Sequence, residues 1–282
     1  MNLKTQTRFL SVLLLLIATL SVLCVLGLIT LGILHLTEPA PTETESETES
    51  ESDTDVSTDP QEVFLESTAD AGMSYIDQMI FFGESTTSHL LARGVLSGGT
   101  ETHQVWTDSS NTRMLSSRIT SEPIVYPPTK ESLTVADACK REQPTYLVLS
   151  FGLNGILNFI STPSQYVNNY GKLITAIQAA SPDTRIILQT VYPVSNAEHF
   201  GVDVATLNNS IETLNGYLPE IAAKYENVRV ADTASVLRDT NGQLLPDYDN
   251  GDGIHLTVSA YEAILRYLRT HAWESQKGQS NS

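Results

Sequence analysis

Cysteine is nearly missing from this 282-residue chain, which holds only Cys24 and Cys139. So small a number excludes a disulfide-stapled scaffold and leaves stability to a buried core. Basic residues are also few, and none lies between Arg8 and Arg93; with a net charge of −17 the chain has no nucleic-acid footprint, which would be basic. No His, Cys or carboxylate cluster has the spacing of a zinc site. There is no internal repeat, and no G-x-S-x-G elbow of the kind that carries the nucleophile in an α/β-hydrolase fold.

What the chain does have falls into blocks. Residues 9–36 are almost wholly apolar, broken only by Ser, Thr, Gly, one Cys and a terminal His. As a helix this run would be roughly 42 Å long, more than a hydrocarbon layer of about 30 Å requires. Secretory apolar regions are only about 7–15 residues long, and Leu23 precedes Cys24 where a lipoprotein signal needs a small residue. The expectation is an uncleaved transmembrane anchor; the alternative is a cleaved signal peptide, and on either reading the main body is exported. Lys4 and Arg8 precede the run, which assigns residues 1–8 to the cytoplasm and the rest to the outside as a cell-membrane, single-pass protein. That topology separates Cys24 from Cys139.

Residues 37–62 (TEPAPTETESETESESDTDVSTDPQE) carry ten carboxylates and no base. Such a segment buries too little apolar area to offset its ordering entropy, so it reads as a self-repelling, disordered stalk. Residues 63–273 then form one domain, long enough for a sizeable core, and 274–282 a polar tail.

Within that domain apolar runs alternate with amphipathic stretches. Strands are expected at 76–82, 145–152, 184–193 and 227–232, all near-continuously apolar, as when both faces of a parallel sheet are covered. Helical periodicity begins at Pro163, runs from Val204 to Tyr225, and returns from about Val258 with Thr257 as N-cap. Gly216 and Pro219 predict a kink or break in the second of these. Residues 92–138 read as a long irregular excursion with short strands at HQVWT and PIVYP. Strands and helices in alternation give a mainly parallel α/β sandwich.

In such a sheet ligands bind outside the carboxyl ends of the strands, so the residues to read are those that follow each strand. The first strand stops at Gly83-Glu84-Ser85, the second at Gly152-Leu153-Asn154-Gly155, and the last helix is preceded by DYDNGDGIHLT. Ester hydrolysis by a serine requires a hydroxyl nucleophile, a base, and donors aimed at the oxygen that becomes negative. Ser85 is placed for the first. His255 suits the second, with Asp252 three residues earlier to hold its Nδ1. Asn154 and the Ser85 N–H suit the third, and Glu84, Gly152 and Gly155 are expected at the substrate pocket. His89, His103 and His199 have no Asp at comparable spacing.

The blocks GES, GLN and DGIH, in this order across about 76–272, resemble the signature blocks of the SGNH/GDSL hydrolases. The resemblance implies a flavodoxin-like three-layer α/β/α sandwich and a serine esterase activity; no cofactor and no metal are expected. It assigns nucleophile, base, orienting acid and oxyanion donor to Ser85, His255, Asp252 and Asn154. Two positions depart from the family: Glu84 stands where Asp is usual before the serine, and Gly155 where Asp is usual after the asparagine. The family's further oxyanion glycine has no unambiguous match; Gly98, Gly99 and the backbone near Asn111 are candidates.

Plainer readings compete: a Gly-Ser turn for Ser85, a left-handed loop asparagine for Asn154, a helix-capping cluster for Asp252 with His255. A calcium loop in DYDNGD lacks the Gly at its sixth position and the Glu at its twelfth that an EF-hand needs. The function expected is hydrolysis of small acyl esters, above all O-acetyl groups on a glycan. An O-acyltransferase with the same triad and a non-catalytic surface binding protein are the alternatives. Partners would be the acyl ester or acylated glycan, and the membrane through the N-terminal helix.

Overall fold

The computed structural model describes residues 62–273. The expected anchor, all of the stalk but Glu62, and the polar tail lie outside the described residues. No helix among the described residues is long and apolar enough to cross a membrane.

Five strands make the central sheet: β1 (Met79–Gly83), β2 (Val105–Trp106), β5 (Tyr146–Ser150), β6 (Arg185–Gln189) and β7 (Val228–Ala231). They lie in the order β2-β1-β5-β6-β7, every pairing parallel. The chain thus starts near one side and reverses its direction of winding between β1 and β5, the crevice where ligands gather in this topology. A separate two-stranded ribbon pairs β3 (Ile124–Val125) with β4 (Ser132–Leu133) in the excursion.

Alternate residues of the strands feed two cores. Phe82, Leu149, Leu188 and Val230 face one side, which is covered by helices α5 (Pro163–Ala180) and α6 (Val204–Ala222) through Tyr170, Leu173, Ile211 and Leu218. Phe81, Val148, Ile187 and Ala231 face the other, against Tyr261, Ile264 and Leu265 of α7 (Val258–Thr270). This arrangement accounts for the continuous apolar runs, since neither face meets water. The fold is therefore an α/β/α sandwich on a parallel sheet.

Several boundaries differ from the sequence reading. Ile76 belongs to a one-turn helix, α1 (Met73–Ile76), and β1 begins only at Met79. Helix α6 runs unbroken through Gly216 and Pro219. Pro219 lies in its last turn, and buried Leu214, Leu218, Ile221 and Ala222 hold the segment to the core on both sides of it, which outweighs one lost backbone bond. Residues within the supposed end of the excursion form α3 (Val135–Glu142), whose N-cap Thr134 accepts from the Asp137 N–H while its hydroxyl donates to the Asp137 carboxylate. That cap is a sequence signal of a helix start.

Register places the site. Gly83 pairs with Ser150, so β1 and β5 end at one level and their following loops share a rim. Gly83 has no alternative there: a Cβ would fall 2.4 Å from the Ser150 carbonyl oxygen and 2.2 Å from Thr87 Oγ1.

Candidate active site

Ser85 opens helix α2 (Ser85–Ala92) directly after the N-cap Glu84, which is extended. As the first helical residue it carries one of the N–H groups that a helix leaves without an internal partner. Its Oγ lies 3.0 Å from His255 Nε2, and His255 Nδ1 lies 2.7 Å from Asp252 Oδ2. Hydroxyl, imidazole and carboxylate thus form one hydrogen-bonded chain across 170 residues of sequence.

The loop that presents His255 is built on carboxylates. Asp252 Oδ1 accepts the backbone N–H groups of Ile254 and His255 at 2.9 and 2.7 Å. Partial burial pushes its carboxyl up, but the bonds from the His255 backbone and ring and from Ile254 prevail and bring it down to about 2. Asp249, which the sequence reading passed over, accepts from the Gly251 and Gly253 N–H groups and from the Ser195 hydroxyl at 2.6 Å. Gly253 adopts φ +80°, and a Cβ would come within 2.6 Å of the Asn196 backbone nitrogen; the glycine lets this loop pack against the one after β6.

The loop after β5 is built differently. Glu84 is 3% exposed, and its two carboxylate oxygens accept the N–H groups of Gly152 (2.8 Å) and Asn154 (3.0 Å). Burial pushes this carboxyl up to about 8, against the pull of its backbone donors. Glu84 and Gly152 were expected at the substrate pocket. Both are buried, and the Glu84 carboxylate points inward to tie the loop down, beside a void of about 10 Å³. Gly155, the N-cap of α4 (Ile156–Ser161), does border an open cavity, of about 330 Å³, together with Met114, Ser116, Asn158, Phe159 and Gln165.

Asn154 is held from both ends: its backbone by Glu84, its side chain by an Nδ2 bond to the Arg113 carbonyl at 3.2 Å. One Nδ2–H remains for another acceptor. Arg113 is itself 3% exposed and anchored through Nη1 to Glu122 at 3.2 Å and through Nη2 to the Pro123 carbonyl. The irregular excursion therefore sets the amide's orientation, a contact between segments that no local spacing announces. The departure at Gly155 follows from the same packing: φ is +86°, and a Cβ would lie 2.8 Å from Met114 Sδ. An aspartate there would be strained and would displace Met114.

Of the candidates for a further oxyanion donor, Gly99 gives its N–H to Leu96 at 2.9 Å and Asn111 gives its own to Asp108 at 3.3 Å. Gly98 adopts φ +90° as the N-cap of a short 3-10 turn. Among the described residues no group of three or more His, Cys, Asp or Glu is arranged to hold a metal.

The sandwich thus sets a hydroxyl, an imidazole and a carboxylate in contact at its rim. The sequence profile of the GDSL-like lipase/acylhydrolase family matches residues 81–263, and the chain belongs to that family. Among solved structures, the chain is similar to a protein described as a platelet activating factor from Streptococcus pneumonia, at 20% identity and a TM-score of 0.49, covering 68% of this chain and 82% of that one. It is similar to a GDSL-like lipase from Bacteroides thetaiotaomicron at 16% identity and 0.44, covering 68% and 86%. A carbohydrate esterase of family 3 from Talaromyces cellulolyticus gives 14% and 0.44, over 68% and 93%. No curated protein matches the sequence.

Proposed function

We propose that the protein is a serine ester hydrolase in which Ser85 is the nucleophile, His255 the base, Asp252 the acid that orients it, and Asn154 with the Ser85 N–H the oxyanion donors. The observation that carries this reading is the chain Asp252–His255–Ser85 at 2.7 and 3.0 Å. Ser85 Oγ attacks the ester carbonyl while its proton passes to His255 Nε2, and Asp252 supports the imidazolium. The tetrahedral oxyanion receives the free Asn154 Nδ2–H and the helix-end N–H of Ser85. The imidazolium then protonates the departing alcohol, leaving an acyl-serine. Water, deprotonated by His255, attacks that ester and releases the carboxylic acid.

The finer reading is of a small acyl group, above all O-acetyl on a carbohydrate, cleaved outside the cell by a domain held on an anchor (9–36) and an acidic stalk (37–62). The apolar run, the flanking Lys4 and Arg8, and the ten carboxylates of the stalk support the location; the acetyl and carbohydrate part rests on that location and on analogy with the family.

The test is hydrolysis of 4-nitrophenyl acetate by the full chain and by Ser85→Ala. We expect the variant to lose at least about 10⁴-fold in kcat with an unchanged melting temperature. A variant as active as the parent would sink the assignment of Ser85. Activity that transfers acetyl to a supplied sugar faster than to water would move the protein to the acyltransferases.

A further inference from the structure

His89 stands four residues after Ser85 on α2, one turn along the same helix face. Its ring lies against the His255 ring, with centroids 4.5 Å apart and planes inclined by 33°. Its Nδ1 is buried and has no hydrogen-bond partner among the described residues. The arrangement is unusual on two counts. A histidine that served only to fill space would still ordinarily satisfy its buried nitrogen, and a surface histidine would turn it to water.

The neighbouring base has a need that His89 meets. His255 sits on a loop with its side chain 25% exposed, tied at Nδ1 to a carboxylate that is 47% exposed. Its second bond, from Nε2 to Ser85 at 3.0 Å, is lost once the serine is acylated, and a ring then held at Nδ1 alone can tilt Nε2 off line. A flat partner against its face removes this freedom. Resting on the reading of Ser85 and His255 given above, we propose that His89 is a positioning residue for the catalytic base. Its neutral imidazole, packed on the His255 ring, keeps Nε2 directed at the Ser85 hydroxyl.

The surroundings keep that imidazole neutral. A second proton would place an N–H at buried Nδ1 with no acceptor, which is costly. Partial burial, then His255 and Arg93, disfavour a charge on His89, and only Asp252 favours one. Neutrality matters, because when His255 takes the serine proton a second imidazolium with its ring centroid 4.5 Å away would oppose it.

The test follows Ser85 directly, so that no substrate need be known. Diisopropyl fluorophosphate reacts with an activated serine: the Oγ–P bond forms, P–F breaks, fluoride leaves, and the hydroxyl proton passes through the base to water. The rate of labelling would be read by intact mass in the full chain, in His89→Ala and in His89→Phe. Circular dichroism would establish that each is folded. Because a 1 Å misplacement can cost about 10²-fold, we expect His89→Ala to be labelled ~10–100-fold more slowly. His89→Phe keeps the flat face and should stay within about threefold of the parent. Equal labelling of the parent and His89→Ala overturns the inference alone. So does His89→Phe when folded but as slow as His89→Ala. A parent never labelled at Ser85 overturns this inference together with the serine-hydrolase reading. If His89→Ala does not fold, His89→Phe decides: near-parent labelling supports the inference and its loss ends it.

Discussion

The loops after β5 and before α7 use one device in two settings. Each is organised by a carboxylate that accepts backbone N–H groups: Glu84 for Gly152 and Asn154, Asp252 for Ile254 and His255. Glu84 is 3% exposed while the Asp252 side chain is 47% exposed. The same kind of bonding therefore ends in opposite electrostatics. Near water the hydrogen bonds win and Asp252 falls to about 2; in the interior desolvation wins and Glu84 rises to about 8. The buried carboxylate fixes backbone alone, and the half-exposed one fixes backbone and the His255 ring.

If that division holds, removing the charge at the exposed carboxylate should strike activity hardest. Asp252→Asn can still face the His255 ring, but its amide favours the wrong tautomer and gives no support to the imidazolium. We expect kcat to fall on the order of 10³–10⁴-fold, with little change in the urea midpoint. Steady-state kinetics beside an unfolding curve will show this. A fall in stability with activity intact would reverse the roles assigned to the two carboxylates.

Asn154→Ala comes next. Glu84 binds the backbone at 154, not the side chain, so the loop should persist while the oxyanion loses a donor. The expected cost is about 10²–10³ in kcat with KM nearly unchanged. Should KM rise instead with kcat preserved, Asn154 would be a ground-state contact and the Arg113 carbonyl would be orienting a substrate ligand.

How much of this was written in the sequence depends on how local each feature is. The four long apolar strands and the last helix with its Thr257 cap follow from periodicity that the fold honours, because burial on both faces and a single amphipathic stripe leave direct traces. Ser85, Asp252, His255 and Asn154 could be picked out because they fall at strand ends or before a helix, where an α/β sheet presents its ligands. The structure brings the first three into one chain and turns Asn154 toward Arg113. What stayed hidden is tertiary. Nothing near Glu84 reveals that its longer side chain reaches the N–H groups of the neighbouring loop, or that Gly155 exists to admit Met114. His89 has no aspartate at comparable spacing, and its place four residues from Ser85 gains meaning only because Ser85–Ala92 is a helix. Pro219 misled because propensity is weak against the packing of a buried turn. Helix α3 was missed although Thr134 and Asp137 mark its start.

The effect that is smallest at each step of the measurement, and the one that tests the comparison at its root, is the pH dependence of stability. A carboxyl raised from about 4.5 to about 8 on folding binds its proton more tightly in the native state. Its contribution is fully present below the unfolded value and is lost as pH rises toward the folded one. Between about pH 5 and 8 the wild type should therefore lose stability relative to Glu84→Gln, which does not titrate, by on the order of 1 kcal/mol per pH unit. Asp252 runs the other way: lowered from 3.8 to about 2, it contributes above about pH 4 and loses that contribution as pH falls toward 2. Because it is half-exposed, its share is smaller and screened by solvent. Urea unfolding of the wild type and Glu84→Gln at pH 5, 6, 7 and 8 separates the cases. A gap that narrows toward high pH and then reverses means that burial governs Glu84. A constant gap means that the Gly152 and Asn154 N–H groups hold it ionised throughout, and that the two loops differ in exposure without differing in charge.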